Sequence, residues 1–323
     1  MFTGTPFFSV IIPLYNKGPY IKDAINSVLS QTYHNFELIV IDNASTDNGL
    51  QIVKSFTDSR IRILHLDEPG PGGYAPRNLG IKAAKTEWIT FLDADDLWYE
   101  NHLELAFQKI GKYPEIEFIS FGYDYSDVEG GYSITKEKIL SPLLSVNEFL
   151  KTGANSCHTN SVVIKKSALM ECGLFPTDIK YLIGGDLDTW LRLLLIGKNM
   201  LICQEITSIY KVEFSGIYMN SKNFIADHPL VETVKTFLIQ QKKIEIEMAI
   251  SLKKLSNICQ IRFLWRKKRA GYLKWKDFRK LYCTVLNVRY FPRIIIIALV
   301  PKIILQILLN GPKYFWKTLT GRI

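Results

Sequence analysis

Four apolar runs, separated by helical segments, occupy residues 7–92, and this alternation constrains the fold more than any other feature. The runs lie at residues 7–14, 36–41, 61–66 and 87–92. They are almost continuously hydrophobic, as strands are when helices cover both faces of their sheet. Strands that alternate with helices of about 10–15 residues are typical of βαβ units and a parallel sheet. The sequence therefore predicts an α/β fold whose ligand lies where the carboxyl ends of the strands meet.

Beyond residue 115 the pattern is more varied. Strands are predicted at 116–125, 160–165 and 201–211, and helices at 145–151, 166–172 and 186–196. Residues 222–258 have the pattern of one or two long helices, with a break at Pro229. We therefore expect an α/β domain over residues 1–221 and a helical, basic and apolar C-terminal extension over residues 222–323.

Positive charge is concentrated in the extension. The chain has 40 Lys+Arg and 31 Asp+Glu, a net charge of +9. Residues 262–323 hold 15 of the basic residues and one acid, Asp277, which leaves 25 basic and 30 acidic residues before them. Aromatic residues such as Trp265 and a run of Ile and Leu at 294–309 accompany this charge. Such a mixture favours the surface of an anionic membrane, with packing on the α/β domain as the alternative.

Several classes of partner and compartment are disfavoured. A phosphate-tracking arm does not need long Ile and Leu runs, so we expect no nucleic acid. The five cysteines are scattered and form no CxxC pair, which is typical of free thiols in a reducing compartment. The first residues lack the charged and apolar regions of a signal peptide. We therefore expect a cytoplasmic protein that binds the membrane peripherally.

Acidic residues follow two of the predicted strands. Asp42 follows the second, and Asp93, Asp95 and Asp96 follow the fourth. Side chains two positions apart in an extended segment point the same way, so Asp93 and Asp95 can present two carboxylates to one cavity. A few carboxylates and the oxygens of a phosphate suit Mg²⁺ or Mn²⁺. A solvated turn that begins the next helix is the alternative, but the position at the expected ligand edge favours a metal–diphosphate site.

A glycine-rich segment, GPGGYAPR, permits a different interpretation. Gly70, Gly72 and Ala75 match the G-x-G-x-x-A fingerprint of dinucleotide-binding proteins. The fingerprint normally follows the first strand, whereas this segment follows the third. Pro71 and Pro76 also remove N–H groups that a pyrophosphate would need. An NAD(P)-dependent dehydrogenase is therefore a less favoured alternative.

Six segments, taken in order, resemble the family 2 glycosyltransferases. They are SVIIPLYN at 9–16, INSVLSQ at 25–31, ELIVIDNASTD at 37–47, RNLG at 77–80, FLDADD at 91–96 and GDLDTWLRL at 185–193. The resemblance covers about residues 7–215. It implies a GT-A fold, in which helices flank a Rossmann-like, mostly parallel central sheet.

The resemblance also implies which residues hold the donor. Pro13 and Tyr15 would lie along the nucleobase and ribose, and Asp42 would accept a hydrogen bond from a uracil-type base. Arg77 would approach the nucleotide or its diphosphate. Asp93 would contact the ribose or the donor sugar.

Two further roles follow from the resemblance, with two departures from the family pattern. Asp95 would ligate the metal that bridges the diphosphate, and Asp186 would be the general base, although a helix cap is the alternative for Asp186. The family usually has Glu where this chain has Gly185. Many relatives also have a His near the position of Glu213, whose role stays open.

The activity implied by the resemblance is that of an inverting, metal-dependent glycosyltransferase. With Mg²⁺ or Mn²⁺ it would move a hexose from a nucleotide-diphosphate sugar, with UDP as the expected nucleotide, to a hydroxyl of a glycan or lipid-linked acceptor. The setting would be bacterial surface-polysaccharide synthesis at the inner face of the cytoplasmic membrane. Because Gly185 replaces the family's Glu, a catalytically idle GT-A module that scaffolds a glycan-assembly complex is the alternative.

Overall fold

The structure, a computed structural model, describes residues 7–126, 132–134, 143–152, 157–178, 181, 183–211, 228–241, 243–270 and 273–282. Glu213 and the apolar run at 294–309 lie outside these residues. The chain divides into two compact units, one within residues 1–219 and the other within residues 220–323.

The first unit begins with the predicted alternation of strands and helices. Its first four strands and three helices are β1 (Phe8–Leu14), α1 (Gly18–Leu29), β2 (Phe36–Asp42), α2 (Gly49–Lys54), β3 (Ile61–His65), α3 (Tyr74–Ala83) and β4 (Trp88–Phe91). β1 lies between β2 and β4, β3 lies beside β2, and all three pairs are parallel. The carboxyl ends of these strands therefore share one edge of the sheet.

The second half of this unit extends the sheet with strands of both directions. Its elements are β5 (Leu97–Trp98), α4 (His102–Lys112), β6 (Phe118–Ser126), β7 (Tyr132–Ile134), β8 (Leu143–Leu144), α5 (Val146–Thr152), β9 (Val162–Lys165), α6 (Lys166–Glu171), α7 (Gly185–Leu195) and β10 (Met200–Lys211). The strand order is β3-β2-β1-β4-β9-β6-β10-β5, with β7 beside β6 and β8 beside β10. β9 is antiparallel to both of its neighbours, so its beginning lies at the carboxyl edge of β4. The predicted α/β class is confirmed, with a sheet that is parallel over β1–β4 and mixed beyond.

Glycine at position 80 allows α3 to lie close to the sheet. A Cβ atom at Gly80 would lie 2.8 Å from Cγ2 of Ile11 and 2.9 Å from Cδ1 of Ile41. These two side chains belong to β1 and β2 and are fully buried. The glycine of the RNLG segment therefore sets the distance between the helix and the strands beneath it.

The amino edge of the sheet is held by a buried carboxylate. Glu37 on β2 accepts hydrogen bonds from the Ser9 hydroxyl, the Lys85 backbone N–H and the Arg62 guanidinium, each at 2.6 Å. Burial alone would raise the pKa of Glu37, but these donors outweigh it and the pKa is lowered. Polar groups at this edge thus serve the fold, and those at the opposite edge form the site described below.

The second unit contains two long helices, α8 (Pro229–Gln240) and α9 (Ile246–Ala270), and a short 3₁₀ helix, Trp275–Lys280. Pro229 begins α8, where a missing N–H costs nothing. α9 continues well past residue 258, where the sequence pattern placed its end. Its Lys267 forms a buried ion pair of 3.0 Å with Asp277 of the 3₁₀ helix. Among the residues that the structure describes, no helix is both long and apolar enough to cross a membrane.

Candidate active site

The ends of β1 and β2 bring three of the predicted residues together. Where β1 pairs with β2, Pro13 lies opposite Ile41 and Leu14 lies opposite Asp42. Asp42 is buried, and its Oδ1 accepts a hydrogen bond of 3.2 Å from the backbone N–H of Ser45. Tyr15 follows β1 directly and exposes 47% of its surface. The carboxyl ends of β1 and β2 thus place an exposed tyrosine near a buried carboxylate.

The glycine-rich segment is hydrogen-bonded to the residue that follows β2. The Asn43 side chain accepts a hydrogen bond from the N–H of Gly70 at 2.8 Å and donates one to its carbonyl at 3.3 Å. Gly73 has a left-handed backbone (φ 71°) and caps α3. The carbonyl of Gly72 lies 3.4 Å from Nη1 of Arg77. A carbonyl group thus faces the cation, which differs from the N–H cradle that a dinucleotide fingerprint would provide.

Arg77 points from α3 to the acidic turn after β4. Its Nη2 donates a hydrogen bond to Oδ1 of Asp93, and its guanidinium lies 5.8 Å from the ring centre of Phe175. Burial would lower the pKa of Arg77, but the charge and the hydrogen bond of Asp93, together with further charges that include Asp186, outweigh it and the pKa is raised. Its Nε has no hydrogen-bond partner within the described part of the chain. Arg77 therefore brings a fixed positive charge to the carboxyl edge of β4.

Asp95 forms the second ion pair of the acidic turn. Its Oδ2 lies 2.5 Å from Nζ of Lys17, which follows β1. Burial, and then the negative charge of Asp93, raise the pKa of Asp95, and Lys17 opposes both. The two carboxylates are thus close enough to repel each other, and each is balanced by its own cation.

Asp96 and Asn160 hold the turn in place. Asp96 is buried and accepts hydrogen bonds from Nδ2 of Asn160 at 2.5 Å and from the backbone N–H of Lys211 at 2.7 Å. Oδ1 of Asn160 accepts a hydrogen bond of 2.8 Å from the backbone N–H of Asp93. The third aspartate of DADD is therefore structural, because it joins the turn to β9 and β10.

The acidic turn has the donor chemistry that a divalent cation would need. Over the residues that the structure describes, no three His, Cys, Asp or Glu side chains form a ready metal cluster. Asp95 nevertheless offers a half-buried carboxylate that is already paired with a positive charge. Mg²⁺ and Mn²⁺ suit such a site, in which one or two carboxylates act together with substrate phosphates.

Asp186 lies near the same cluster although it is far away in sequence. α7 begins at Gly185 with Gly184 as its N-cap, so Asp186 is the second residue of the helix. Its negative charge acts on Arg77 and on His158, as the charge of Asp93 does. It makes no hydrogen bond or ion pair to another described residue. Asp186 therefore lies near Arg77 and Asp93, and its carboxylate has no partner among the residues that the structure describes.

Tyr74 leaves no room for a side chain at position 185. The backbone N–H of Gly185 donates a hydrogen bond of 2.8 Å to the Tyr74 hydroxyl. A Cβ atom at Gly185 would lie 2.6 Å from Cζ of Tyr74 and 2.8 Å from Cγ of Pro176. Burial, and then the charge of Asp186, raise the pKa of Tyr74, so the hydroxyl stays protonated. The ring of Tyr74 therefore excludes a larger residue at position 185 and attaches α7 to α3.

Sequence analysis did not identify Lys17, Tyr74, His158 or Asn160 as site residues. Lys17 lies three residues after the end of β1, and this position near the carboxyl edge is a signal that could have identified it. The other three reach the site through contacts between distant segments, for which local sequence patterns give no signal.

Comparisons with known proteins agree with this geometry. The family model of Glycosyl transferase family 2 matches residues 9–173. The chain is 34% identical over 157 residues to the glycosyltransferase GlyG of Streptococcus pneumoniae, an alignment that covers 47% of this chain and 52% of GlyG. It is also 34% identical over 213 residues to an Escherichia coli protein, the UDP-Glc:alpha-D-GlcNAc-diphosphoundecaprenol beta-1,3-glucosyltransferase WfgD, with 66% of this chain and 79% of WfgD covered.

Solved structures with little sequence identity share the fold. S. aureus TarS 1–349, solved in complex with UDP-GlcNAc, superposes with a TM-score of 0.63 at 18% identity over 90% of this chain and 79% of that chain. A mannosyltransferase from Pyrobaculum calidifontis, solved with GDP-Man and Mn²⁺, gives a TM-score of 0.58 at 19% identity over 99% and 85%. The family match covers about half of the chain and includes β1 to β4, the acidic turn and β9. The chain belongs to Glycosyl transferase family 2.

Proposed function

We propose that the chain is an inverting glycosyltransferase whose reaction takes place in the domain over residues 1–221. The observation that carries this proposal is the convergence of Asp93 and Asp186 on Arg77, at the carboxyl edge of the sheet. An acidic turn, a buried cation and a carboxylate without a committed partner are the groups that transfer from a diphosphate leaving group requires. The family to which the chain belongs supports this assignment.

The donor in this proposal is a UDP-linked sugar. Pro13 and Tyr15 would contact the base and ribose, and Asp42 would accept a hydrogen bond from the N3–H group of uracil. The Asp42 carboxylate is buried at the end of β2, where it is shielded from water. The printed names of WfgD and of the TarS complex both include a UDP-sugar, which supports the choice of nucleotide.

The acidic turn would receive the diphosphate. Asp95 would hold a Mg²⁺ or Mn²⁺ ion, and Asp93 would lie beside the ribose or the transferred sugar. When bound, the ion supplies positive charge that stabilises the departing diphosphate. Lys17 and Arg77 add two cations that are already oriented towards the turn. Preorganised charges of this kind stabilise a transition state without reorganisation.

Asp186 would act as the general base. It would accept the proton of the acceptor hydroxyl while that oxygen attacks the anomeric carbon, and the nucleoside diphosphate would leave from the opposite face. A single displacement of this kind inverts the anomeric configuration. The position of Asp186, close to Arg77 and without a hydrogen-bond partner among the described residues, supports this role.

The test compares Asp186→Asn with wild type and with Asp23→Asn, a matched change at an exposed position of α1. Sugar transfer or hydrolysis from UDP-sugars is measured with and without Mn²⁺. Removing the base is expected to lower kcat by about 10²–10⁴ and to leave the affinity for UDP unchanged, whereas Asp23→Asn retains both. Unchanged turnover in Asp186→Asn would remove the residue from this role. A wild-type protein that binds UDP-sugars without turning them over would favour the scaffold module.

We also propose that the extension over residues 222–323 brings the domain to an anionic membrane, where a lipid-linked acceptor lies. Trp275 exposes 73% of its surface beside the exposed cations Lys274, Arg279 and Lys280. Exposed tryptophan next to basic residues suits the interface of an anionic bilayer. The acceptor in the printed name of WfgD is linked to diphosphoundecaprenol, a lipid, which supports this choice. The inner face of the cytoplasmic membrane is the corresponding location.

A further inference from the structure

Three aromatic rings meet at the carboxyl edge of the sheet, next to the acidic turn. The His158 ring lies between Tyr123 of β6, at 4.9 Å between centroids, and Tyr210 of β10, at 4.5 Å. Both tyrosines are inclined at 39° to the imidazole. Contacts on two sides fix the orientation of the histidine. Aromatic faces with a few oriented polar groups are typical of small-ligand sites.

The chain beside His158 is tied directly to the acidic turn. His158 caps the 3₁₀ helix Thr159–Ser161, which leads into the antiparallel strand β9. Asn160, two residues further on, accepts the hydrogen bond from the backbone of Asp93. The imidazole is therefore anchored to the same network that fixes the two carboxylates of the turn.

The two ring nitrogens of His158 have different surroundings. Nδ1 accepts a hydrogen bond of 3.4 Å from the backbone N–H of Asn160, which places the proton of the neutral ring on Nε2. Burial lowers the pKa of His158 more than Asp93 and Asp186 raise it, so the ring is neutral at pH 7. Nε2–H makes no hydrogen bond to any other residue that the structure describes. The ring thus offers one uncharged donor.

The position of this donor identifies what it would bind. Asn160, two residues after His158, accepts a hydrogen bond from the backbone of Asp93 and so holds this segment beside the acidic turn, and the charges of Asp93 and Asp186 both act on the ring. In the proposed reaction Asp93 lies on the donor side and Asp186 on the acceptor side. The sugar being transferred must lie between them, because its anomeric carbon is bonded to the diphosphate and is attacked by the acceptor.

We propose that His158 is a specificity-determining residue that donates a hydrogen bond from Nε2–H to a hydroxyl group of the transferred sugar, with Tyr123 and Tyr210 holding the imidazole in place. The inference rests on the proposed function and names a recognition contact for that reaction. A neutral donor suits a hydroxyl acceptor, and a site built to hydrogen-bond a sugar hydroxyl discriminates against sugars that lack it.

Two variants separate the role of the Nε2–H group as a donor from the roles of His158 as a helix cap and as an aromatic ring. His158→Asn keeps a side-chain acceptor at the N-cap, a position that asparagine favours, but lacks Nε2. His158→Phe keeps an aromatic ring between the tyrosines and lacks both nitrogens. His34→Asn is the matched control, because His34 is exposed and precedes β2 at the amino edge of the sheet.

The experiment measures Kd for UDP, UDP-glucose and UDP-GlcNAc by calorimetry, in the presence of Mn²⁺. Both His158 variants are expected to bind UDP as wild type does and to bind the preferred UDP-sugar about 2- to 12-fold more weakly, the range for one lost hydrogen bond. The His34 variant is expected to match wild type for all three ligands. A ratio of UDP-sugar to UDP affinity that is unchanged in both His158 variants would overturn the inference and leave the proposed function intact. Equal weakening of UDP and UDP-sugar would overturn it as well. Wild-type protein that binds no UDP-sugar would contradict both proposals.

Discussion

His102 is a buried titratable residue that belongs to the core. Its ring stacks on Trp98 at 4.1 Å between centroids. Its nitrogens lie 3.2 Å from the hydroxyl of Thr90 and 2.8 Å from the hydroxyl of Thr207. Burial lowers the pKa of His102 to about 3. The residue therefore joins α4 to β4 and β10 as a neutral imidazole.

This lowered pKa predicts a pH-dependent contribution of His102 to stability. In the unfolded chain the imidazole takes up a proton below its ordinary pKa of about 6.5, and in the folded protein it does so only near 3. The contribution is thus complete above pH 6.5 and decreases as the pH falls towards 3. Between pH 7.5 and 5.5 the folded state should lose about 1.4 kcal/mol from this group.

Urea unfolding of wild type and His102→Gln at both pH values measures this contribution. The variant is less stable at pH 7.5, because it loses the stacking on Trp98. Its deficit should shrink by about 1.4 kcal/mol at pH 5.5, since glutamine does not titrate there. A deficit that is the same at both pH values would show that the imidazole is protonated in the folded state as well.

At the scale of the elements, the contact between α3 and α7 determines where Asp186 lies. Tyr74 begins α3, Gly185 begins α7, and the hydroxyl of the first accepts the N–H of the second. Asn78 of α3 reinforces this contact through two hydrogen bonds with the backbone of Phe175, at 2.8 Å and 2.9 Å. The proposed base is therefore positioned by the helix that also carries Arg77.

We expect the substitutions Gly185→Ala and Tyr74→Ala to be energetically coupled. The added Cβ would overlap the ring of Tyr74, so Gly185→Ala alone should lower the free energy of unfolding by about 1–3 kcal/mol. With Tyr74→Ala already present only the close contact with Pro176 remains, and the same change should cost less. A double-mutant cycle in urea should give a coupling energy of about 0.5–3 kcal/mol. Simple additivity would indicate that α7 moves away from α3 without cost.

How well each element can be predicted from the sequence depends on whether its contacts are local or join distant segments of the chain. The four apolar runs of residues 7–92 predict β1 to β4 to within one residue at each end, because strands covered on both faces need continuous hydrophobic sequence. The place of Asp42 and Asp93 at strand ends follows from the same runs. Asn160 and His158 are different, because they reach the acidic turn only through the antiparallel pairing of β9. Local patterns do not specify such pairing.

The boundary of α9 shows a second limit of local patterns. The basic cluster at residues 262–269 suggests a solvated segment after the helix, whereas the helix continues to Ala270. Lys267 is buried there because Asp277 pairs with it, and Gln260 donates a hydrogen bond of 3.3 Å to the carbonyl of Asp277. A compensating charge ten residues further along the chain therefore allows a basic residue of the helix to be buried.

At the scale of the whole molecule, the uneven charge predicts how the protein meets a lipid surface. Residues 262–323 hold 15 basic residues and one acid. Within the described part of this segment, Trp275 is the large apolar residue that is most exposed. Ile246 of α9 is equally exposed, at 79%, but lies between the acidic residues Glu245 and Glu247. Trp275 and Ile246 therefore form a matched pair of exposed apolar residues, the first beside basic residues and the second between acidic ones.

Vesicle flotation tests this prediction with the full chain. Trp275→Ser should reduce the fraction bound to phosphatidylglycerol vesicles several-fold, and Ile246→Ser should leave it unchanged. Raising the salt concentration should weaken binding of all three proteins, because the Debye length falls from about 10 Å at 0.1 M to about 3 Å at 1 M. Equal binding of wild type to vesicles of phosphatidylcholine alone would contradict the electrostatic part of the proposal. Equal binding of the two variants would remove Trp275 from it.

The hydrogen bond from Lys211 to Asp96 has a mechanical consequence. Lys211 is the last residue of β10, and the chain continues from it towards the second unit. The backbone N–H of Lys211 donates a hydrogen bond to the carboxylate of Asp96, which also accepts one from the Asn160 side chain. Tension applied to the connecting segment is therefore delivered to the loop that carries Asp93 and Asp95. If the extension is anchored as proposed, a pull on it would be transmitted to the residues of the proposed diphosphate site.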